Sequence, residues 1–330
     1  MASLISNTQI TLDSHQNWQT VTTQIPTPGD HELLIKVQAA AVNPIDLKRR
    51  AVTTHILGYD GYGEVLAIGK AVTQFKVGDI VYYAGSTQLD GSFQAYQCMT
   101  EALCALAPDQ LSASEAAGLP LVSLTAYELL FEKFHFEAAE QAHLGKNLLI
   151  INGAGGVGSI MSQLAKWAGF TVYATSSPQN FNWLKANGVD YPVDYHQTSD
   201  QLNIDQLPAE HFDAIAVLYD VAPYLSAATR LIKPLGHVGS LVNMQAPLDL
   251  TPLKAKSVSF DWEYMFTKTD FDYEIASQGA ILKKIARLAD TNQIHSITTQ
   301  VYQGLSVENL DTITNQLSGG HSVGKQTIIY

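Results

Sequence analysis

Cysteine, basic residues and long apolar runs are all scarce in this sequence, and each scarcity removes a class of protein. Two cysteines, Cys98 and Cys104, cannot build a disulfide framework or a four-thiolate metal site. No apolar run reaches the ~18 residues that a membrane-spanning helix requires. Lysine and arginine number 19 against 31 aspartates and glutamates, a formal net charge of −12. That charge argues against nucleic acid or a membrane surface as the partner.

The first residues also lack the features of a secretion signal. Residues 1–8, Met-Ala-Ser-Leu-Ile-Ser-Asn-Thr, have neither a basic start nor a long apolar stretch, so we expect a cytoplasmic protein. What the chain does have is an ordinary globular composition, with 46% hydrophobic and 15% charged residues. Its 330 residues are enough for two domains, each with its own core.

A glycine-rich turn between a strand pattern and a helix pattern is the strongest functional signal. Residues 147–158 read Asn-Leu-Leu-Ile-Ile-Asn-Gly-Ala-Gly-Gly-Val-Gly, so Gly153, Gly155 and Gly158 have the G-x-G-x-x-G spacing. Such a turn brings the backbone close to a pyrophosphate, and the following helix presents its N–H groups to the anion. The spacing alone occurs by chance in glycine-rich loops, but a helical pattern and a second strand pattern at 170–174 follow it here. We therefore predict a dinucleotide site.

The end of that second strand indicates which dinucleotide is bound. A site for NAD usually carries Asp or Glu there, about 20 residues beyond the glycines, to bind the ribose hydroxyls. This chain has Ser176 and Ser177 instead, and no acidic residue before Asp190. Serine hydroxyls can donate to a 2′-phosphate that a carboxylate would repel, which favours NADP(H). The alternative stays open that the serines only cap the next helix, because no arginine stands beside them.

The pattern of turns and periodicity divides the chain into two kinds of structure. Up to about residue 120, turn residues separate short strands, which indicates a β-rich domain; the strands are expected at 33–37, 64–68, 80–83 and 93–97. From residue 147, strands and helices alternate, as is typical of a doubly wound Rossmann α/β fold with a parallel sheet. The strands are expected near 148–152, 171–175, 213–218 and 237–242, and the helices near 156–168, 178–187 and 223–232. After helices near 277–289 and 306–317, a last strand near 326–329 could return to the first domain.

These segments together resemble the medium-chain dehydrogenase/reductase superfamily, in particular its zinc-free, quinone oxidoreductase-like branch. Residues 41–46, Ala-Val-Asn-Pro-Ile-Asp, are similar to the Asn-Pro-x-Asp element of that branch. Residues 58–63, Gly-Tyr-Asp-Gly-Tyr-Gly, with Gly69 further on, follow the spacing of the family's glycine-rich signature. Residues 263–266, Glu-Tyr-Met-Phe, resemble a subgroup often labelled zinc-type alcohol dehydrogenase-like. The resemblance covers nearly the whole chain.

The resemblance implies a domain plan and a set of cofactor contacts. It implies a discontinuous GroES-like catalytic domain, residues 1–122 and 265–330, around a Rossmann domain, residues 123–264, and it implies a homodimer. It also places Thr125 near the nicotinamide and gives Val242 and Lys325 contacts with the cofactor. Together with the glycine turn and the two serines, the predicted NADP(H)-binding residues are Thr125, Gly153, Ala154, Gly155, Gly156, Val157, Gly158, Ser176, Ser177, Val242 and Lys325.

The ligand positions of the zinc-using relatives carry unsuitable side chains in this sequence. By the resemblance, these positions are Asn43, Tyr59 and Leu121. A catalytic zinc takes at least three thiolate, imidazole or carboxylate ligands from the protein. The four cysteines of a structural zinc are absent as well. We therefore expect no zinc and no other metal site.

Without a Lewis acid, the hydride acceptor should already be electrophilic, as a quinone or an enone is. We expect an NADPH-dependent, quinone oxidoreductase-like reductase in which Asn43, Tyr59 and Asp60 are the catalytic candidates. Asn43 and Tyr59 would hydrogen-bond the substrate oxygen, with Tyr59 as the proton donor. In the structural alternative, Asn43 caps a turn and Tyr59 is a packing aromatic. Asp60 would then bond backbone N–H groups, as short acids in turns often do.

Two other functions remain open at the level of sequence. One is an enone or 2-alkenal double-bond reductase, which the residues do not separate from a quinone reductase because the acceptor pocket is built from loops. The other belongs to a different class, an NADPH-binding structural or interaction protein with little catalysis. Tight cofactor binding without turnover would distinguish this last function from both reductases.

Overall fold

Two units make up the fold, and the last part of the chain belongs to the first of them. In this computed structural model, residues 6–196, 201–320 and 322–330 are described. Met1–Leu124 and Phe266–Tyr330 form the first unit, and Thr125–Met265 form the second. Among the described residues, no helix has both the length and the apolar character needed to cross a membrane.

Strands and helices follow one another along the described chain. The strands are β1 (Asn7–Leu12), β2 (Trp18–Thr23), β3 (Glu32–Val42), β4 (Asp60–Ile68), β5 (Ile80–Tyr83), β6 (Tyr96–Thr100), β7 (Cys104–Leu106), β8 (Asn147–Ile151), β9 (Thr171–Ser176), β10 (Tyr191–Asp194), β11 (Phe212–Val217), β12 (Ile232–Ser240), β13 (Ser259–Trp262), β14 (Thr298–Gln303) and β15 (Lys325–Ile329). The helices are α1 (Pro44–Arg49), α2 (Ala113–Ala117), α3 (Pro120–Tyr127), α4 (Gly156–Trp167), α5 (Phe181–Ala186), α6 (Leu225–Leu231), α7 (Thr267–Asp270), α8 (Ala276–Asp290) and α9 (Val307–Ser318). One π-helical segment, Glu128–Lys133, extends α3.

A seven-stranded sheet forms the centre of the first unit, in the order β14-β15-β3-β4-β5-β7 with β6 also paired to β3. The final strand, β15, runs antiparallel to β3, with Ile328 opposite Ala40. Both of these side chains are fully buried. Burial of apolar side chains stabilises this pairing, so the last strand joins a sheet whose other central strands, β3 and β4, come from residues 32–68.

One strand of this unit begins later than the sequence predicts. Residues 93–97 were expected as a strand, whereas β6 begins at Tyr96. The Phe93 N–H donates to the Leu57 carbonyl at 3.0 Å, and the Phe93 carbonyl accepts from the Ile10 N–H at 2.9 Å. The segment before Tyr96 therefore pairs with other parts of the chain, which its local sequence could not indicate.

The second unit contains a fully parallel sheet in the order β10-β9-β8-β11-β12-β13. Its centre matches the prediction: Leu148 to Ile151 are buried, as expected of a strand that helices cover on both faces. Two strands, β10 and β13, were not predicted. Both are four residues long and lie at the edges of the sheet, where side chains are partly exposed and the periodic signal is weak.

Candidate functional site

The order of the parallel strands defines where a dinucleotide would bind in the second unit. From β8 the sheet continues through β9 and β10 on one side, and through β11, β12 and β13 on the other. In open parallel sheets, ligands bind beyond the carboxyl ends of the strands at this change of direction. The change falls between Ile151, where β8 ends, and Val217, where β11 ends. The glycine turn begins directly after Ile151.

The three motif glycines have different surroundings, and the differences fit a pyrophosphate cradle. A Cβ on Gly153 would lie 2.6 Å from the Ala174 Cβ, and a Cβ on Gly158 would lie 2.6 Å from the Asn152 carbonyl oxygen. Both positions therefore need glycine for packing. At Gly155 the nearest atom would be 3.6 Å away. A Cβ at Gly155 would therefore make only ordinary van der Waals contact, so packing does not require glycine here, and close approach of a ligand to the backbone is the reason that the motif supplies.

The start of α4 supplies the donors for such an anion. The first intrahelical bond runs from the Ser159 N–H to the Gly155 carbonyl at 2.9 Å. The N–H groups of Gly156, Val157 and Gly158 precede that bond, and N–H groups of a first turn have no partner within their helix. Ala154 is buried beneath the turn. These N–H groups are the kind of donors that bind a phosphate at a helix start, and the contact with a cofactor stays a prediction.

The predicted 2′-phosphate residues lie at the end of β9, and no carboxylate of the described chain bonds to them. The Ser177 Oγ lies 3.1 Å from the hydroxyl of Tyr195, and the Ser176 Oγ accepts a bond from Asn180. Ser177 precedes the next helical turn but makes no side-chain cap bond. The first downstream acid, Asp190, accepts from Lys166 and from the backbone of Val172, at the opposite end of β9. The sequence did not single out Tyr195.

The remaining two predicted cofactor residues of the second unit are a partly buried valine and a buried threonine. Val242 follows β12, and its N–H donates to the Ser240 Oγ at 3.3 Å. Thr125 is buried in α3 with 6% of its surface exposed. Contacts of either residue with a cofactor remain predictions.

A closed polar triad is the central feature of the first unit. The Lys325 Nζ lies 2.9 Å from the Asp60 Oδ2 and donates to the Asn43 Oδ1 as well. The Asn43 Nδ2 donates to the same Asp60 oxygen at 2.8 Å. All three side chains are buried, with exposures of 1%, 0% and 5% for Asn43, Asp60 and Lys325. Lys325, predicted as a cofactor contact, is therefore bonded inside the unit to two of the three catalytic candidates.

Backbone groups complete this network. The Leu121 N–H, in the first turn of α3, donates to the Asp60 Oδ1 at 2.7 Å. Asp46 accepts from the Asn43 N–H at 2.7 Å and from the Gly58 N–H at 2.9 Å. Full burial raises the pKa of Asp46 to about 7, against the opposing effect of these two bonds. Gly58 has a φ of +96°, and a Cβ there would lie 2.6 Å from the Phe93 ring, so this turn requires glycine.

Tyr59 lies between Gly58 and Asp60, which are both hydrogen-bonded within this network. Its ring packs on Phe266 with a centroid separation of 4.8 Å and an interplanar angle of 56°. With 3% exposure, Tyr59 is also a core aromatic, as the structural alternative holds. The role of its hydroxyl as a proton donor stays a prediction.

The side chains at the three positions that bind zinc in the zinc-using relatives are not suitable zinc ligands in this protein. The Asn43 amide bonds to Asp60 and Lys325, Tyr59 offers a phenol, and Leu121 has no ligand atom in its side chain. Zinc takes thiolate, imidazole or carboxylate ligands in proteins. Across the described residues, no group of three or more histidines, cysteines or acids has the geometry to hold a metal ion.

Sequence reasoning missed the partnership of Lys325 with Asp60. These residues are 265 positions apart, and no local pattern links them. It also missed Tyr195, which follows a strand that the sequence did not predict. Asp46 had a visible signal, since it stands three residues after Asn43 at a helix start, the spacing of a capping interaction.

Comparison with known proteins agrees with this architecture. Residues 29–109 match the alcohol dehydrogenase GroES-like domain. A zinc-type alcohol dehydrogenase-like protein of Staphylococcus aureus strain Mu50 is 38% identical over 310 residues, 92% of each chain. The chloroplastic NADPH-dependent alkenal/one oxidoreductase of Arabidopsis thaliana is 32% identical over 290 residues, 83% of this chain and 66% of that one.

Solved structures give the same result. A protein from Rhizobium etli CFN 42 that is named as a zinc-dependent alcohol dehydrogenase superposes with a TM-score of 0.88 at 29% identity, over 98% of this chain and 97% of that one. The predicted fold, a Rossmann sheet with a β-rich GroES-like domain, is confirmed. This chain therefore belongs to the medium-chain dehydrogenase/reductase superfamily and is an oxidoreductase of that family.

Proposed function

We propose that this protein is an NADPH-dependent, zinc-independent reductase of conjugated carbonyl compounds. The observation that carries the proposal is the triad of Asn43, Asp60 and Lys325, because it holds Asn43, which stands at one zinc-ligand position of the relatives, in a closed hydrogen-bonded network. A reductase without a Lewis acid at this point requires an acceptor that is already electrophilic. Conjugation supplies that property in enones, alkenals and quinones.

The choice of NADPH is supported by the end of β9. Ser177 and Tyr195 present two hydroxyls 3.1 Å apart, and the nearest downstream carboxylate, Asp190, is bonded elsewhere. The 2′-phosphate of NADPH needs donors and the absence of a facing carboxylate. The Arabidopsis relative, named as NADPH-dependent, points to the same cofactor.

The residues of the first unit would manage charge and protons. The glycine turn and the start of α4 would hold NADPH, which would supply a hydride for the electron-poor carbon of an acceptor, and the protein would have to accommodate the negative charge that develops on the carbonyl oxygen. The Tyr59 phenol then donates its proton toward that oxygen, since a positioned acid of this kind lowers the barrier. The Asn43 Nδ2 donates to the Asp60 Oδ2 at 2.8 Å and to the Ala41 carbonyl at 3.5 Å, and it would turn the longer of these two bonds toward the substrate oxygen.

Among conjugated acceptors, we place alkenals and enones before quinones. From the sequence, the family resemblance puts a quinone first, but no residue distinguishes a quinone from an enone as the acceptor. The 32% identity with an alkenal/one oxidoreductase, over 83% of this chain, favours reduction of a carbon–carbon double bond. Hydride addition and protonation on oxygen would give an enol, which tautomerises to the saturated carbonyl compound, whereas a quinone would give a hydroquinone.

The test is a panel assay on the purified full chain. NADPH oxidation is followed at a fixed cofactor concentration with a 2-alkenal, a cyclic enone, a benzoquinone and the matched saturated aldehyde, and each product is identified by mass spectrometry. We expect turnover of the conjugated compounds, none of the saturated aldehyde, and rates unchanged after dialysis against a strong zinc chelator. Tyr59→Phe should lower kcat by ~10²-fold or more. Tyr62→Phe, a change of the same kind in β4, is the control.

Three results would contradict the proposal. They are turnover of the saturated aldehyde at equal rates, loss of activity on chelation with stoichiometric zinc in the starting protein, and an unchanged kcat in Tyr59→Phe. NADPH binding without turnover of any acceptor would favour the non-catalytic alternative.

A homodimer and a cytoplasmic location complete the proposal. The edge strand β13 carries the exposed Trp262, and the exposed Tyr264 follows it, with 46% and 42% of their surfaces in water. An edge strand with exposed aromatics suits pairing with a second copy. Light scattering on Trp262→Glu, expected to shift a wild-type dimer toward monomer, tests this.

The cytoplasmic location is supported by the cysteines. The free thiols of Cys98 and Cys104 suit a reducing compartment.

A further inference from the structure

Tyr59 is held from both sides by buried polar groups. Before it, the Gly58 N–H donates to the Asp46 Oδ1 at 2.9 Å. After it, the Asp60 carboxylate is bonded to three donors that come from different segments: Asn43 before α1, Leu121 in α3 and Lys325 in β15. The backbone that carries Tyr59 therefore has its position fixed by contacts outside its own strand.

Lys325 is the member of this arrangement that no local requirement explains. Its ammonium group has three N–H donors, and three acceptors surround it: the Val42 carbonyl at 3.5 Å, the Asn43 Oδ1 and the Asp60 Oδ2. It is the first residue of β15, and only 5% of its surface is exposed. A buried ion pair of this kind adds little stability compared with an apolar pair, but its directional bonds fix geometry.

The other charges that face this group come from two elements. Asp60 is the first residue of β4, and its carboxylate forms an ion pair with the Lys325 ammonium. Asp46 lies in α1 and acts on Lys325 through space while bonding the Asn43 and Gly58 backbones. The ammonium thus faces two buried acidic residues: Asp46, which bonds the Gly58 N–H before Tyr59, and Asp60, which directly follows Tyr59.

We propose that Lys325 is a positioning residue, which acts through Asp60 and Asn43 to hold Tyr59 in the orientation needed for proton donation. The inference rests on the proposed function for the use of Tyr59, but its geometric part stands on the triad alone. It differs from the cofactor contact that the family resemblance implies for Lys325, since a cofactor contact would act on NADPH affinity and a positioning residue would act on kcat.

The first experiment separates those two roles by kinetics. We compare Lys325→Met with Lys233→Met, which removes a lysine paired at 2.8 Å with Asp213 in the second unit. Lys325→Met should lower kcat at least tenfold while the Kd for NADPH changes less than threefold, and Lys233→Met should leave both near wild type. A large rise in Kd with kcat intact would overturn the proposal in favour of the cofactor contact.

Chemical rescue and a charge-paired variant give a second readout that a merely structural role would not move. In Lys325→Ala, methylammonium replaces the lost cationic head and should restore part of kcat in a saturable way, whereas tetramethylammonium and sodium should not. Lys325→Met combined with Asp60→Asn should recover the melting temperature lost by each single change, but not kcat. Recovery of kcat in the double variant would overturn the proposal.

The closing experiment does not depend on catalysis. The protein is labelled with 3-fluorotyrosine, and the ¹⁹F signal of Tyr59 is assigned by its loss in Tyr59→Phe. We expect this signal to shift or broaden in Lys325→Met and to stay in place in Lys233→Met. An unmoved signal refutes the inference, whereas a moved signal in a protein that reduces no conjugated carbonyl refutes only the proposed function.

If Lys325→Met does not fold, Lys325→Arg carries the same comparison. It keeps the positive charge, but a planar guanidinium cannot place its donors on the same three acceptors. We expect a folded protein with a displaced Tyr59 signal and a reduced kcat. A wild-type signal and a wild-type kcat in this variant would overturn the inference.

Discussion

Glu263 and Glu128 form a hydrogen-bonded pair of carboxyl groups inside the second unit. Each residue is 3% exposed. Burial raises the pKa of Glu263 well above its usual range, and the neighbouring Glu128 raises it further. Because two neighbouring buried carboxylates repel each other, we expect the pair to retain one proton. Glu128 begins the π-helical segment after α3, while the Glu263 N–H donates to the Ser240 carbonyl at the end of β12.

The shared proton makes stability fall as the pH rises. Since the pKa of Glu263 is higher in the folded than in the unfolded chain, the folded protein binds the extra proton above about pH 4.5. Its free energy of unfolding should therefore fall by up to about 1.4 kcal/mol per pH unit while that proton is bound. Glu263→Gln keeps a neutral partner for Glu128 and should flatten the decline.

Urea unfolding between pH 5 and 9 measures this effect. Glu140→Gln, at an exposed position, is the matched control and should follow wild type. A Glu263→Gln curve parallel to wild type would show that the pair is not protonated.

Replacing the motif glycines by alanine should affect cofactor binding at one position and stability at the other. Gly155→Ala adds a Cβ in ordinary van der Waals contact, 3.6 Å from its nearest neighbour, at a φ of −70° that alanine adopts freely. The fold should survive, but the Kd for NADPH should rise at least tenfold because the methyl group occupies the phosphate approach. Gly158→Ala forces a Cβ against the Asn152 carbonyl at 2.6 Å and should cost about 1–3 kcal/mol of stability.

Calorimetric titration with NADPH and thermal unfolding of both variants check this contrast. Unchanged affinity in a folded Gly155→Ala would place the pyrophosphate elsewhere.

Cofactor choice should respond to charge at Ser177. An aspartate there repels a 2′-phosphate and can bond ribose hydroxyls instead, so Ser177→Asp should lower the preference for NADPH over NADH at least tenfold. Ser177→Ala removes the hydroxyl without adding charge, and Tyr195→Phe removes its 3.1 Å neighbour. Both should weaken NADPH alone, by a smaller factor.

The ratio of kcat/KM for the two cofactors is the measurement. Equal losses with NADPH and NADH in all three variants would mean that these hydroxyls do not face the phosphate.

Asp46 should add a second pH dependence at lower pH. Its pKa rises from 3.8 to about 7 on folding, mainly through burial. Because the folded protein binds more protons than the unfolded chain between these values, stability falls as the pH rises from about 4 to about 7, by at most about 4 kcal/mol. Asp46→Asn removes the titration, so the stability of wild type relative to this variant should decline through that window.

Unfolding of both proteins at pH 4.5, 6 and 7.5 tests the sign. A relative stability that grows with pH would mean that Asp46 is ionised throughout, its two N–H bonds outweighing burial.

Local patterns were enough to locate the nucleotide-binding strands and the glycine turn. The predicted strand at 148–152 and helix at 156–168 lie within a residue of β8 and α4, because buried parallel strands and amphipathic helices write their periodicity into neighbouring residues. The short edge strands β10 and β13 lack that periodicity and were missed. The candidate residues Asn43, Tyr59 and Asp60 were found through family resemblance, and their catalytic roles stay predictions.

By itself, then, the sequence determined the features that depend on adjacent residues: a strand–glycine–helix unit, a serine pair where an acid would select NAD, and unsuitable side chains at the compared zinc positions. Only the tertiary structure decided which distant groups meet. Lys325 reaches Asp60 because β15 pairs with β3, and Glu263 reaches Glu128 because β13 ends beside the segment after α3. Strand pairing and burial depend on the whole fold, and burial in turn sets the strength of every charge interaction at these sites.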